Sequence, residues 1–116
     1  MSFFSSLFKS KSSEYINILN AEEFQNEIKN KKVRLVDVRT SGEYNSGHIK
    51  NAVNVDFFNR AAFQKFFSKL KNKEEPIYLY CRSGNRSRKA AYMLEEMGFT
   101  SITDLKGGYM AWQRNQ

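Results

Sequence analysis

The sequence has very little cysteine and proline, and it has no long apolar run. One cysteine among 116 residues excludes an intramolecular disulfide and suits a reducing compartment, so we predict a cytoplasmic location. No stretch approaches the length of a transmembrane helix. The sequence also has no repeats and no low-complexity segment. We therefore expect one domain, long enough to bury a core without help from disulfides or metal ions.

The sequence is strongly basic, but its basic residues are not concentrated in one segment. The formal net charge is +7, and the basic residues fall in three separate stretches, Lys29 to Arg34, Lys65 to Lys73 and Arg82 to Lys89. A nucleic-acid face would need a continuous basic patch. Only the third stretch surrounds a candidate site. The pattern therefore favours a small anionic substrate and predicts no nucleic-acid partner.

The first thirteen residues differ from the rest of the chain. They carry no acidic residue, and Phe3, Phe4, Leu7 and Phe8 would share one face of a short helix. A signal peptide would have its charge first and a longer apolar centre. We predict a flexible tail over residues 1–13 with no firm membrane contact, followed by a domain over residues 14–116. A first turn that docks on the core and a weak membrane-surface anchor are the alternatives for this tail.

Short apolar runs alternate with helical patterns along residues 15–116. Strands are predicted at residues 15–19, 33–38, 52–55, 77–80 and 102–105. Helices are predicted at residues 21–29, 40–46, 59–70 and 87–97, with a short last helix after Gly107-Gly108. Such alternation predicts an α/β fold with a mostly parallel central sheet of about five strands and helices on both faces.

The only cysteine stands where ligands bind in parallel sheets. Cys81 ends an apolar strand, and ligands sit beyond the carboxyl ends of such strands. The loop and helix start that follow it carry cationic, hydroxyl and glycine residues: Arg82, Ser83, Gly84, Asn85, Arg86 and Ser87. Loop N–H groups, a helix N-terminus and arginines all favour a thiolate, the nucleophilic form. A buried, inert cysteine is the alternative for the strand alone.

A series of motifs then resembles the single-domain rhodanese family. The motifs occur in the family's order and cover about residues 14 to 114: Val36-Asp37-Val38-Arg39, Glu43 ahead of Gly47-His48-Ile49, Ala52-Val53-Asn54, Tyr80-Cys81-Arg82-Ser83-Gly84-Asn85-Arg86-Ser87, Gly98-Phe99, Leu105-Lys106-Gly107-Gly108 and Ala111-Trp112. Asn51 replaces a glycine that is frequent in the family, and asparagine also tolerates left-handed backbone.

The resemblance implies a thiosulfate sulfurtransferase-like enzyme without a cofactor or a metal. Cys81 would take the outer sulfur of a small anionic donor such as thiosulfate, and the persulfide would pass it to an external thiol, to cyanide or to a protein. The backbone amides of Arg82 to Ser87 would hold the persulfide, while Arg86 and Arg82 attract the donor. Structural support near the loop is expected from four residues: Asp37, Arg39, Glu43 and His48.

Two other functions and one other role for His48 are compatible with parts of the pattern. Related protein phosphatases place one more residue between cysteine and arginine than the four of Arg82 to Asn85, so the shorter loop should exclude a phosphate group. His48 could act as a base for Cys81, although its Gly-His-Ile turn is structural in the family. The fold also serves as a non-catalytic binding or regulatory module, but such modules often lack the cysteine.

Overall fold

The computed structural model describes residues 13–116, which form five strands and five helices. The strands are β1 (Ile16–Leu19), β2 (Arg34–Asp37), β3 (Val53–Asn54), β4 (Ile77–Tyr80) and β5 (Ile102–Leu105). The helices are α1 (Ala21–Asn30), α2 (Ser41–Asn45), α3 (Arg60–Ser68), α4 (Asn85–Glu96) and α5 (Gly108–Arg114). The proposed tail, apart from Ser13, lies outside the described residues.

The strands form one parallel sheet in the order β1-β5-β4-β2-β3. Successive side chains of β4 point to opposite faces, as the pleat requires. Leu79 packs with residues of α3 and α4, whereas Tyr78 and Tyr80 pack with residues of α1 and α5. Helices therefore cover both faces, and the predicted α/β class with a parallel five-stranded sheet is confirmed.

Most elements lie where the sequence places them, with small differences at the ends. Asn20 caps α1 and forms the expected capping box with Glu23. Helix α4 begins at Asn85, two residues before the expected start, because Gly84 adopts φ 110° and itself caps the helix. Strand β3 is shorter than expected, since only Val53 and Asn54 pair with β2 at this edge of the sheet. None of the helices formed by residues 13–116 has the length and apolar character needed to cross a membrane.

A buried ion pair holds the carboxyl end of β2 against its surroundings. Arg39 donates to both carboxylate oxygens of Asp37, at 3.0 Å from Nε and 2.7 Å from Nη2, and Nη2 also donates to the Gly47 carbonyl at 2.7 Å. The guanidinium lies 4.5 Å from the ring centre of Tyr109 and 5.6 Å from that of Tyr80. The pair therefore joins β2, the Gly47 turn, β4 and α5.

We predict that Arg39→Lys destabilises the protein by about 2 kcal/mol or more, because lysine keeps the charge but loses the planar fork in a buried site. The matched control is Arg34→Lys, whose ion pair with Glu75 is partly exposed and should lose less than about 1 kcal/mol. Urea unfolding of both variants measures the difference. Equal losses would contradict a special role for the Arg39 pair.

Candidate active site

Cys81 lies directly after β4, a central strand of the sheet. Its side chain is 1% exposed and belongs to the apolar cluster under α3 and α4. Burial alone would suit an inert cysteine. The character of this site therefore depends on which groups contact the sulfur.

A backbone amide contacts the sulfur of Cys81. The Gly84 N–H donates to Sγ with an N···S distance of 3.0 Å. Gly84 is also held through its carbonyl, which accepts from the Ser87 hydroxyl at 3.3 Å and from the Arg88 N–H at 3.1 Å. This geometry needs the positive φ of Gly84, which few other residues adopt easily. A fixed donor aimed at sulfur stabilises negative charge there.

The start of α5 fixes the other side of the loop. The Tyr109 N–H donates to the Cys81 carbonyl at 2.8 Å, and the Met110 N–H donates to the Arg82 carbonyl at 3.1 Å. Gly108 lets the helix approach, because a Cβ at this position would lie only 2.5 Å from the Arg82 oxygen. The carbonyls of Cys81 and Arg82 are thereby directed at α5.

Arg86, in the first turn of α4, is held by a carboxylate from α2. Its Nη1 and Nη2 donate to Oε1 and Oε2 of Glu43 at 2.7 and 2.9 Å. Hydrogen bonding to Arg86 lowers the pKa of Glu43 to about 2, so the carboxylate is charged at neutral pH. Hydrogen bonding to Glu43 in turn raises the pKa of Arg86. The guanidinium also lies 5.2 Å from the ring centre of Phe58.

The remaining residues of the predicted loop divide into exposed and buried positions. Arg82, Ser83 and Asn85 are exposed, whereas Ser87 is buried. Among residues 13–116, no acidic side chain forms an ion pair with Arg82. Arg82 also lines a surface depression of about 420 Å³ beside the loop, together with Glu43, Met110 and other residues. A depression of similar size lies elsewhere, around Lys32 and Pro76, and shares no residue with the loop.

The four supporting residues do not form a single network. Asp37 and Arg39 pair with each other, whereas Glu43 pairs with Arg86. His48 is exposed and stacks on Tyr44 with ring centres 3.7 Å apart, and its Nδ1 lies 2.9 Å from the Tyr44 carbonyl oxygen. These contacts place His48 in the turn after α2 and give it no hydrogen bond to Cys81 within the described part of the chain.

Two contributors were missed by the sequence analysis. Thr40 contacts Glu43 through its N–H, at 3.0 Å, and through its hydroxyl, at 3.1 Å, both to Oε1. The spacing Thr40-x-x-Glu43 is that of a capping box and could have indicated this contact. The position of Phe58 beside Arg86 had no signal in the sequence. Residues 13–116 contain no group of three or more His, Cys, Asp or Glu side chains suited to a metal ion.

Comparison with known proteins identifies the family. The model of the rhodanese-like domain matches residues 20–115, which is most of the chain. The protein therefore belongs to the rhodanese-like domain family. This agrees with the resemblance found in the sequence.

Relatives and solved structures give a consistent picture. The chain is 39% identical over 90 residues to thiosulfate sulfurtransferase 16, chloroplastic, of Arabidopsis thaliana, covering 71% of this chain and 75% of that protein. It is 36% identical over 99 residues to the tRNA uridine(34) hydroxylase of Pelagibacter ubique, covering 85% of this chain but 33% of that protein. The crystal structure of a rhodanese-like domain protein from Staphylococcus aureus matches with a TM-score of 0.72 and 31% identity, covering 83% of this chain and 90% of that one.

The match to the longer relative is therefore partial. The chain spans about a third of the length of the Pelagibacter protein. The comparisons support sulfur transfer in general terms, because sulfurtransferases occur among the relatives. A specific donor and acceptor need a separate argument.

We predict that Gly108→Ala destabilises the protein by about 3 kcal/mol, because the added Cβ meets the Arg82 carbonyl at a φ of 61° that alanine disfavours. Gly42→Ala is the control, since a Cβ there meets nothing within 4 Å. In helix α2 it should be neutral or stabilising by up to about 1 kcal/mol. Thermal unfolding compares the two. A Gly108→Ala protein as stable as the wild type would contradict the close approach of α5 to the loop.

Proposed function

We propose that this protein is a sulfurtransferase that moves a sulfane sulfur from an anionic donor such as thiosulfate, through a persulfide on Cys81, to a nucleophilic acceptor. The observation that carries the proposal is the Gly84 N–H aimed at Sγ, 3.0 Å away. A cysteine that served only as a core residue would not need a backbone donor fixed on its sulfur. The family membership and the sulfurtransferase relative support the same reaction.

The first half of the reaction loads sulfur onto the enzyme. The Cys81 thiolate attacks the outer sulfur of thiosulfate, and a new S–S bond forms to Sγ. The original S–S bond of thiosulfate breaks, and sulfite leaves with the electron pair. The product is a persulfide anion on Cys81, and its negative charge lies on the terminal sulfur, one bond further out than in the thiolate. Further N–H groups of the loop, in Arg82 to Ser87, are then available for the terminal sulfur.

The second half of the reaction needs an external acceptor. A thiolate or cyanide attacks the outer sulfur of the persulfide, and Cys81 leaves as the regenerated thiolate. The chain has one cysteine, so no second thiol of its own can resolve the persulfide. A thiolate that must stay reduced between turnovers also suits the cytoplasm or another reducing compartment. The depression beside Arg82 offers space for the acceptor.

Two arginines provide the positive charge at this site. Arg82 is exposed and without an ion-pair partner within residues 13–116, so it is suited to meet an incoming anion. Arg86 interacts electrostatically with Cys81 but is already bound to Glu43. We therefore assign Arg82 to donor attraction and Arg86 to the charge balance beside the sulfur. Asp37, Arg39 and His48 act as structural support in this proposal.

We predict that Cys81→Ser abolishes sulfur transfer and leaves the fold intact, because serine is nearly isosteric but is a poor nucleophile without an activating base. Wild-type protein treated with thiosulfate should gain the mass of one sulfur atom. Added cyanide should remove this mass and release thiocyanate. Intact mass spectrometry follows both steps.

Two results would contradict the proposed function. One is sulfur transfer by Cys81→Ser at the wild-type rate. The other is a wild-type protein whose mass does not change with thiosulfate or with other sulfane sulfur donors, which would instead favour a non-catalytic binding module. Circular dichroism of the variant shows whether its fold is retained.

A further inference from the structure

The ion pair between Arg86 and Glu43 places an acidic group beside a site that should attract anions. Both terminal nitrogens of Arg86 are occupied, one by each carboxylate oxygen of Glu43. The side chains of Arg86 and Glu43 are only 19% and 28% exposed. Water therefore screens this pair less than it would screen a fully exposed pair.

The contacts of Glu43 keep this carboxylate in place. Oε1 accepts from Arg86, from the Thr40 N–H and from the Thr40 hydroxyl. The low pKa of Glu43, about 2, agrees with these donors and keeps the carboxylate charged near neutral pH. Asp56 also interacts with Arg86, but more weakly than Glu43 does.

We infer that Glu43 is a selectivity residue, which acts through Arg86 to limit how strongly the site attracts a second negative charge on the sulfur donor. The inference rests on the proposed function and names a property of the same site. Glu43 offsets the charge of Arg86, so a dianion such as thiosulfate gains less than it would from a free arginine. A monoanionic donor is affected less, because Coulomb energy is proportional to the charge of each partner.

Two sulfur donors that react in the same way but carry different charges can test this inference. Thiosulfate carries two negative charges, and methanethiosulfonate carries one. In both cases the Cys81 thiolate bonds to the outer sulfur, the S–S bond of the donor breaks, and the leaving group, sulfite or methanesulfinate, takes the electron pair. Because the chemistry is the same, the ratio of kcat/KM for the two donors reports the electrostatic potential at the site.

Glu43→Gln is the informative variant. Glutamine is nearly isosteric and can complete the same capping box, so α2 should keep its N-terminus. Removing one negative charge should raise kcat/KM about fivefold for thiosulfate and about twofold for methanethiosulfonate, mainly through KM. The difference between the donors should become smaller at about 1 M salt, where the Debye length is only ~3 Å, but it should not vanish because the pair is partly buried.

Glu23→Gln is the matched control. Glu23 occupies the equivalent position in the capping box of α1, where its carboxylate bonds to Asn20, and it is exposed. The substitution removes the same charge from the same type of position. It should leave the ratio of the two donors unchanged. If Glu43→Gln proves unstable in thermal unfolding, Glu43→Ala removes the same charge and should shift the ratio in the same direction.

A second measurement does not depend on sulfur transfer. Iodoacetate is an anion and iodoacetamide is neutral, and both alkylate Cys81, the only thiol of the chain. The ratio of their rates cancels the fraction of Cys81 that is deprotonated. This ratio should rise about twofold in Glu43→Gln and stay constant in Glu23→Gln.

The outcomes distinguish the inference from a purely structural role. If Glu43 only positioned Arg86, Glu43→Gln would change both donors by the same factor and would leave the alkylation ratio constant, which would overturn the inference. If the wild type accepted sulfur from neither donor, the proposed function would fail. An unchanged alkylation ratio would then also reject an effect of Glu43 on anions at Cys81, whereas a raised ratio would support that electrostatic effect without sulfur transfer.

Discussion

The close approach of Gly108 to the Cys81 loop is the constraint on which the candidate site depends. Backbone carbonyls in a tight loop need partners, and the carbonyls of Cys81 and Arg82 find theirs in the N–H groups that begin α5. With these carbonyls bonded on one side, the loop can curl so that the Gly84 N–H faces the sulfur. If α5 lay farther from the loop by the width of a side chain, these hydrogen bonds would be lost, and the Gly84 N–H would not be held against the sulfur. The sulfur site is thus built by two segments, of which only one contains the cysteine.

The local features of this fold could be predicted from the sequence, because they depend on local rules. Short apolar runs indicated the five strands, and Asn20 with Glu23 indicated the start of α1. The residues of the loop that follows Cys81 could be named from the sequence because they are contiguous with it. The start of α4 was placed two residues late, since nothing in the pattern shows that Gly84 would take the cap position in left-handed backbone.

The division of the polar residues could not be predicted in the same way. Asp37, Arg39 and Glu43 lie close in sequence, and all three were expected to give structural support near the loop. The structure separates them into two ion pairs. Arg39 pairs with Asp37, two residues away, whereas Glu43 pairs with Arg86, 43 residues away. A contact at that separation depends on how α2 and α4 are placed by the sheet. Propensities and spacing carry no information about such placement.

Long-range and short-range electrostatics have different roles in this molecule. The net charge of +7 comes from dispersed residues, so it raises the local concentration of all anions and is weakened by salt over about 10 Å. It cannot distinguish one small anion from another of the same charge density. Discrimination requires charges held in fixed positions near the site. Arg86 interacts electrostatically with Cys81, and five hydrogen bonds hold Glu43 in place: two from Arg86, two donated by Thr40 and one from the Glu43 N–H to Thr40. We therefore propose that the basic surface governs how often an anion arrives, whereas the ion pair of Arg86 and Glu43 governs which anion stays.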